Sequence, residues 1–374
     1  MSQTYQIPDA AVSETPLAAR ISAQNPALEM KMHRGAQTPL RYAGKSAELQ
    51  SLLHGAGIFD LGYRTIFRAT GKDRVRWLNG MITQTVKGMN PGETGYTLVL
   101  NPQGRIQGDA DLSVREDFLQ LETDRSQSER LLTHLRRYII MDDVKLEELD
   151  ASTTALGIAG PRAAEILQSL GAPAPEPARF QSGELAGTAV TVFGGFSPVV
   201  PVFEIHLPAD AVLAVWNALS AAGASPCGLE CMEHFRVFQG IPAFGVDFSD
   251  KHLPQETNLT RALNFTKGCY IGQEIVERIR ARATVHRSLR QFELEGDQPA
   301  TSLVELRAGE TAVGELTSVA PFDLPEFNRT LALGIVRAEA LEKAESEPLR
   351  YDGGRAIPLE RPPAFAHPDP RQEN

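Results

Sequence analysis

The apolar pattern changes character after His286, and this change constrains the fold more than any other feature of the chain. From Tyr63 to Leu149 the order reads strand, helix, strand, strand, strand, helix, strand. Residues 64–69 alternate as a strand, and residues 72–81 bring Val75, Leu78 and Met81 to one helical face. Residues 94–100 and 105–114 flank Asn101-Pro102-Gln103-Gly104, a tight turn by its residue chemistry. Ser126 and Glu129 have capping-box spacing ahead of Leu131, Leu132, Leu135 and Tyr138. The rhythm returns after Ser152, with strands expected at 154–159, 189–193 and 202–207. Helices are expected at 163–170, behind Pro161, and at 209–222. Beyond His286, short runs at 289–294, 303–307, 312–318 and 331–337 are separated by Gly, Pro and Asp, the texture of a small antiparallel barrel. The expected division is a loosely held arm (1–45), two α+β modules (46–150 and 151–284), a β-barrel (285–360) and a tail (361–374).

Composition narrows the function classes. A 42% hydrophobic, 22% charged chain is an ordinary globular balance. A net charge of −10 argues against generic affinity for nucleic acid or an anionic membrane, which need basic surfaces. Three cysteines in 374 residues make no disulfide framework, so a reducing, cytoplasmic setting is expected. The first twenty residues read as a polar leader, and no run approaches the ~18–20 apolar residues of a membrane span. Phosphate-loop, dinucleotide and nucleophile-elbow patterns are absent from the sequence.

The most distinctive string is Lys267-Gly268-Cys269-Tyr270-Ile271-Gly272-Gln273-Glu274. Its two glycines permit close backbone approach, and residues 273–282 have helical character, with Glu274 spaced for a pair with Arg278. Cys269, ahead of a helix and two residues from Lys267, sits where a thiolate is favoured. The competing interpretation is a glycine-rich turn with a structural thiol. Cys227, Cys231 and His234 share a helical face and could ligate metal by spacing, but packing explains them better because a fourth ligand is missing. The basic run Arg278, Arg280, Arg282, His286, Arg287, Arg290 is a solvated face, or else an attractor for acidic groups.

The octapeptide resembles the signature of YgfZ-type proteins at every defined position. Phe59-Asp60-Leu61, Gly71-Lys72-Asp73, Phe203-Glu204-Ile205 and Gly228-Leu229 with Arg236 resemble the wider aminomethyltransferase superfamily of the glycine-cleavage T-protein. This resemblance implies an α+β fold: a three-domain ring of two ferredoxin-like modules and a C-terminal antiparallel β-barrel. It also implies a channel binding tetrahydrofolate, through Tyr96, Asp109, Glu204 and Arg236. Tyr270, Gln273 and Glu274 would complete the ligand contacts, and Cys269, Lys267 and Asp109 would be the chemically active groups. For YgfZ-type proteins the implied role is assembly or repair of iron–sulfur enzymes, with iron–sulfur proteins as partners and no nucleic acid or membrane. The alternatives are a folate-dependent aminomethyltransferase or related demethylase, and a non-catalytic scaffold. Gly194-Gly195-Phe196-Ser197-Pro198 stands where the transferases carry Tyr-Thr-Gly-Glu, which makes transfer the less expected activity.

Overall fold

The strand Ile106–Val114 buries alternate residues, and the neighbouring strand Leu119–Asp124 is buried throughout, so both need a covered sheet. They sit inside a five-stranded antiparallel sheet ordered Thr94–Leu100, Ile106–Val114, Leu119–Asp124, Arg64–Thr70, Lys145–Glu148. The helices Arg74–Met81 and Ser128–Arg136 contribute Trp77, Leu78, Leu131, Leu132 and Leu135 to its core. The computed structural model describes residues 13–149, 152–282, 285–297, 299 and 303–363. The expected leader to residue 12 and the tail beyond 363 lie outside these.

A second sheet runs Phe180–Leu185, Thr188–Gly194, Val202–Pro208, Thr153–Ala159, Gly57–Asp60, Ser225–Pro226. Its fifth strand, Gly57–Asp60, comes from the chain that precedes the first sheet, so the two sheets do not follow one another simply in sequence. Six strands between Arg287 and Leu359 close an antiparallel barrel. The expected architecture of two α+β modules and a C-terminal barrel is therefore present.

Several local expectations differ. Residues 16–39 are no loose arm: Pro16–Gln24 is a helix capped by the Thr15 side chain, which also donates to the buried carboxylate of Asp60. Leu17 of this helix is fully buried in the second module's core, and a hairpin of Met30–His33 with Ala36–Pro39 follows. In Arg74–Met81 the inward face is Trp77 and Leu78, while Val75 faces solvent, because Trp77 buries far more apolar area. The capping box does not form, because Gln127 is drawn inward.

Helix Leu229–Phe238 ties the second module to the barrel. Phe238 meets barrel residues Phe322 and Phe327 at centroid distances of 5.4 and 5.2 Å, and those two rings lie 5.5 Å apart, all edge-to-face. Cys227 and Cys231 pack in the same cluster, which is why their spacing carries no ligand set. Truncation of Phe322 to Ala should cost about 3 kcal/mol through the lost ring contacts and the cavity left behind. Urea denaturation checks this, and a cost below about 1 kcal/mol would mean that the barrel is not held through this cluster.

Candidate functional site

Strands of both sheets, the 30–39 hairpin and helix Leu229–Phe238 enclose a cavity of about 500 Å³. That size suits a compact organic ligand. Its apolar wall includes Phe59, Phe193, Phe203, Leu229 and Met232. Its polar wall is built around Arg64, at the start of strand Arg64–Thr70.

Asp111 and Glu122 are direct cross-strand partners. Like charges so placed repel each other. Arg64 resolves the conflict: Nη2 reaches Asp111 Oδ2 at 2.5 Å, Nε lies 3.2 Å from Glu122 Oε1, and Nη1 donates to Glu204 Oε2 of the other sheet at 2.9 Å. His206 completes the cluster, with Nε2 2.9 Å from Glu122 Oε2 and 2.8 Å from Glu204 Oε1. Burial and the adjacent charge of Glu204 push the Glu122 carboxyl up to about 7. Burial also works against ionisation of Glu204, but the Arg64 guanidinium and the bonds from its neighbours hold it well below the usual carboxylate range. Burial opposes the charged imidazolium of His206 too, yet the two glutamates carry it up to about 9. Glu204 therefore stands on the cavity wall as a carboxylate, and each of its oxygens keeps a lone pair for a ligand N–H. Glu122, Glu204 and His206 could in principle hold a cation, the one such group among the described residues. Arg64 already supplies the positive charge there, so a metal ion fits poorly.

Asp109 lies on strand Ile106–Val114, two residues before Asp111, so both project from one face. It lines a smaller cavity of about 150 Å³ that shares Arg34, Arg64, Tyr96 and Arg261 with the larger one. Tyr96 Oη donates to Asp109 Oδ2 at 2.6 Å, and Gln127 Nε2 donates to Oδ1 at 2.8 Å. Gln127 Oε1 also accepts from the Asp109 N–H at 3.1 Å, a two-point clasp. Gly108 makes room for it, since a Cβ there would stand 2.6 Å from Gln127 Oε1. Burial and the nearby Asp124 raise the Asp109 carboxyl above its usual range.

The structure thus gathers Tyr96, Asp109 and Glu204, and it redirects the other expected residues. Arg236 is consumed by Glu233 (2.9 Å), Asp247 (2.6 Å) and the Ser318 hydroxyl (2.9 Å), a buried network joining helix and barrel. It borders the cavity but does not present a free fork. Lys267 does not lie ready to activate Cys269. Its Nζ donates to the carbonyls of Asn79, Ile82 and Gln84 at 2.6–2.7 Å, and burial brings the ammonium down to about 7. Tyr270 is buried beneath it, while Gln273 and Glu274 open the helix Gln273–Arg282 away from the cavity lining. Gly272, at φ +81°, sits against the 101–104 turn, where a Cβ would meet the Asn101 carbonyl at 2.7 Å. The signature loop is in this way stapled to the first sheet. Cys269 is exposed and does not line the cavity. Of the basic run, Arg287 pairs with Glu256 and Arg280 with Glu277.

Arg64, Glu122, His206, Gln127 and Arg34 were not singled out from sequence. A signal was present for one of them: His206 is a titratable residue in a mostly apolar strand, whereas Leu119–Asp124 is too polar for Glu122 to stand out. Arg34, at the hairpin tip, pairs with Asp124 and Glu233, and beside it burial brings His33 down to about 4.

The family described as "GCVT N-terminal domain" matches residues 21–267. Over 305 residues the chain is 25% identical to a protein named aminomethyltransferase from Nostoc sp., covering 76% of this chain and 78% of that one. It is 28% identical to an aminomethyltransferase from Rubrobacter xylanophilus, covering 82% of each. Glycine cleavage system aminomethyltransferase T from Bartonella henselae superposes with a TM-score of 0.82 at 20% identity, covering 93% of this chain and 97% of that one. The aminomethyltransferase fold is therefore the fold of this chain.

The ion cluster makes stability pH-dependent. The part supplied by charged His206 is complete below its free value of 6.5 and is lost as the pH rises through about 9. Replacement His206→Gln should cost about 3 kcal/mol at pH 7 and erase the loss between pH 7 and 9. Urea denaturation across that range reads both effects, and an unchanged alkaline slope in the variant would assign the loss to another group.

Proposed function

Because the chain belongs to the GCVT N-terminal domain family of the T-protein superfamily, we propose that it binds a reduced folate between its two sheets and acts as a folate-dependent one-carbon transferase of the aminomethyltransferase type. The observation that carries this reading is Glu204, a carboxylate kept ionised in an aromatic-walled cavity by Arg64 and His206. A pterin offers paired N–H donors on one edge of a flat ring. Glu204 accepts those donors, and Phe193 and Phe203 supply apolar surface for the ring. Asp109 is the second carboxyl: raised by burial, held by Tyr96 and Gln127, and suited to carrying a proton next to the cavity. Tetrahydrofolate supplies the nucleophilic nitrogen that accepts the one-carbon unit, and the chain's own groups orient it and exclude water.

Calorimetry with 5-formyltetrahydrofolate and the full chain tests the binding half. Micromolar affinity is expected, with Glu204→Gln weakening it about tenfold or more, since one partner of a charge-assisted bond is lost. No heat at high micromolar ligand would refute it. Ammonia release from an aminomethyl-lipoyl carrier tests the transfer half, and Asp109→Asn should slow it about 100-fold.

A second reading, that of a folate-binding accessory protein for iron–sulfur enzymes, is favoured by one observation. The signature loop places Cys269 at the surface, where a macromolecular partner can reach it and a cavity-bound ligand does not. Folate binding without transfer, together with loss of cellular iron–sulfur enzyme activity in Cys269→Ala, would support that reading. Full complementation by the Ala variant would remove the thiol from it.

A further inference from the structure

The larger, inner cavity between the two sheets has on its wall a buried carboxyl that no aligned donor serves. Glu122, on strand Leu119–Asp124, is 4% exposed. Arg64 Nε lies 3.2 Å from its Oε1 without making an aligned hydrogen bond, and among the described residues that oxygen has no other partner. Its Oε2 lies 2.9 Å from His206 Nε2, but that nitrogen carries a single proton, and Glu204 Oε1, at 2.8 Å, takes it. A buried carboxyl left in this position favours its neutral form.

Glu204 stands opposite it in character. It already accepts from Arg64 Nη1 on Oε2 and from His206 Nε2 on Oε1. A carboxylate offers roughly four acceptor positions, so two remain. Glu122, Glu204 and His206 bring their polar atoms within 4.8 Å of one another, and a proton on Glu122 finds its acceptor in Glu204. That proton and the paired N–H donors of a ligand therefore compete for the same two positions. The charged groups facing Glu122 are Arg64 from strand Arg64–Thr70, Asp111 from Ile106–Val114 with Arg115 just past its end, and Glu204 and His206 from Val202–Pro208. Burial, with Glu204 alongside, holds the Glu122 carboxyl at about 7, so both of its forms are present at neutral pH.

We propose that Glu122 is a proton-holding residue of the ligand site, and that capture of a ligand's paired N–H donors by Glu204 expels the proton from Glu122. On the folate reading, on which this inference rests, those donors belong to the pterin edge. The O–H bond of Glu122 breaks, its electron pair stays on the carboxylate, and the proton passes to solvent; no other bond changes. Arg64 and charged His206 remain beside the new carboxylate. Glu122 is buried before the ligand arrives, so the ligand adds little desolvation, and the loss of its acceptor decides the sign. Binding that releases a proton tightens as the pH rises.

The test is calorimetry of the full chain with 5-formyltetrahydrofolate, whose formyl group removes the basicity of the ring nitrogen it occupies. Titrations at pH 7 in phosphate, Hepes and Tris, which differ in their own ionisation heats, count the protons released. Wild type should release about half a proton per ligand and bind about fivefold more tightly at pH 8 than at pH 6. Glu122→Gln, with a matching thermal melt, should lose both effects, whereas Asp109→Asn should keep them. In wild type alone, the infrared carbonyl band of a protonated carboxyl at pH 6 should weaken when ligand is added. Heat that is the same in all three buffers, proton uptake, or release that persists in Glu122→Gln overturns the inference and leaves the folate reading intact. No heat in any buffer overturns both.

Discussion

Arg64 is the group on which the arrangement of the two sheets depends. It is anchored on the first sheet, and its guanidinium reaches a carboxylate on each of three strands, one of them in the second sheet. Without it, Asp111 and Glu122 would face each other across a ladder with Glu204 nearby, and of these acids Glu122 is buried and Glu204 largely so. A cluster of this kind contributes modestly to net stability, because desolvation offsets most of the attraction. It ties the two sheets together at one point, since the guanidinium that serves Asp111 and Glu122 on the first sheet also reaches Glu204 on the second. The same placement creates the inner cavity, so the ion network and the ligand chamber are one construction.

The signature loop shows why a sequence motif and a reactive site are separable. Lys267 next to a cysteine suggests thiolate chemistry, but a lysine has three donors and a long stem. Here all three go to carbonyls at the end of helix Arg74–Met81 and in the segment just after it. Gly272 and the Ile271 N–H, which donates to the Gly80 carbonyl at 3.0 Å, add further ties to the same module. What this motif fixes most firmly is the position of the loop. The thiol is presented outward as a result.

The fold was legible because it is written in periodicity. Most strands of the two sheets and the barrel lie where alternation placed them, and the change of texture at His286 marks the first barrel strand, Arg287–Gly296. The polar edge strand Phe180–Leu185 was missed, since its exposed residues give no apolar signal. The helix Pro16–Gln24 was missed because its nine residues bury only Leu17 and Ala18, too little for a periodic pattern. The site was half legible. Asp109, Tyr96 and Glu204 came from family register, whereas two of their supports, Gln127 and Arg64, act across 18 and 140 residues of sequence. No local window contains such pairs.

Arg236 and Arg261 set out the rule that separates structure from recognition in this molecule. Both are arginines bordering the inner cavity. Arg236 has Glu233, Asp247 and Ser318 within 3 Å, so its donors are committed before any ligand arrives, and its work is to lock helix to barrel. Arg261 lies against the rings of Tyr96 and Phe196 and, among the described residues, has no carboxylate in an ion pair with it. A guanidinium oriented at no cost in hydrogen bonds is preorganised for a carboxylate, and preorganisation is where binding affinity is gained. The neighbouring tyrosine makes the link to chemistry, since Tyr96 stacks on Arg261 with its ring and holds Asp109 with its hydroxyl. The placement of the Arg261 guanidinium is thereby tied, through one tyrosine, to that of the buried Asp109 carboxyl.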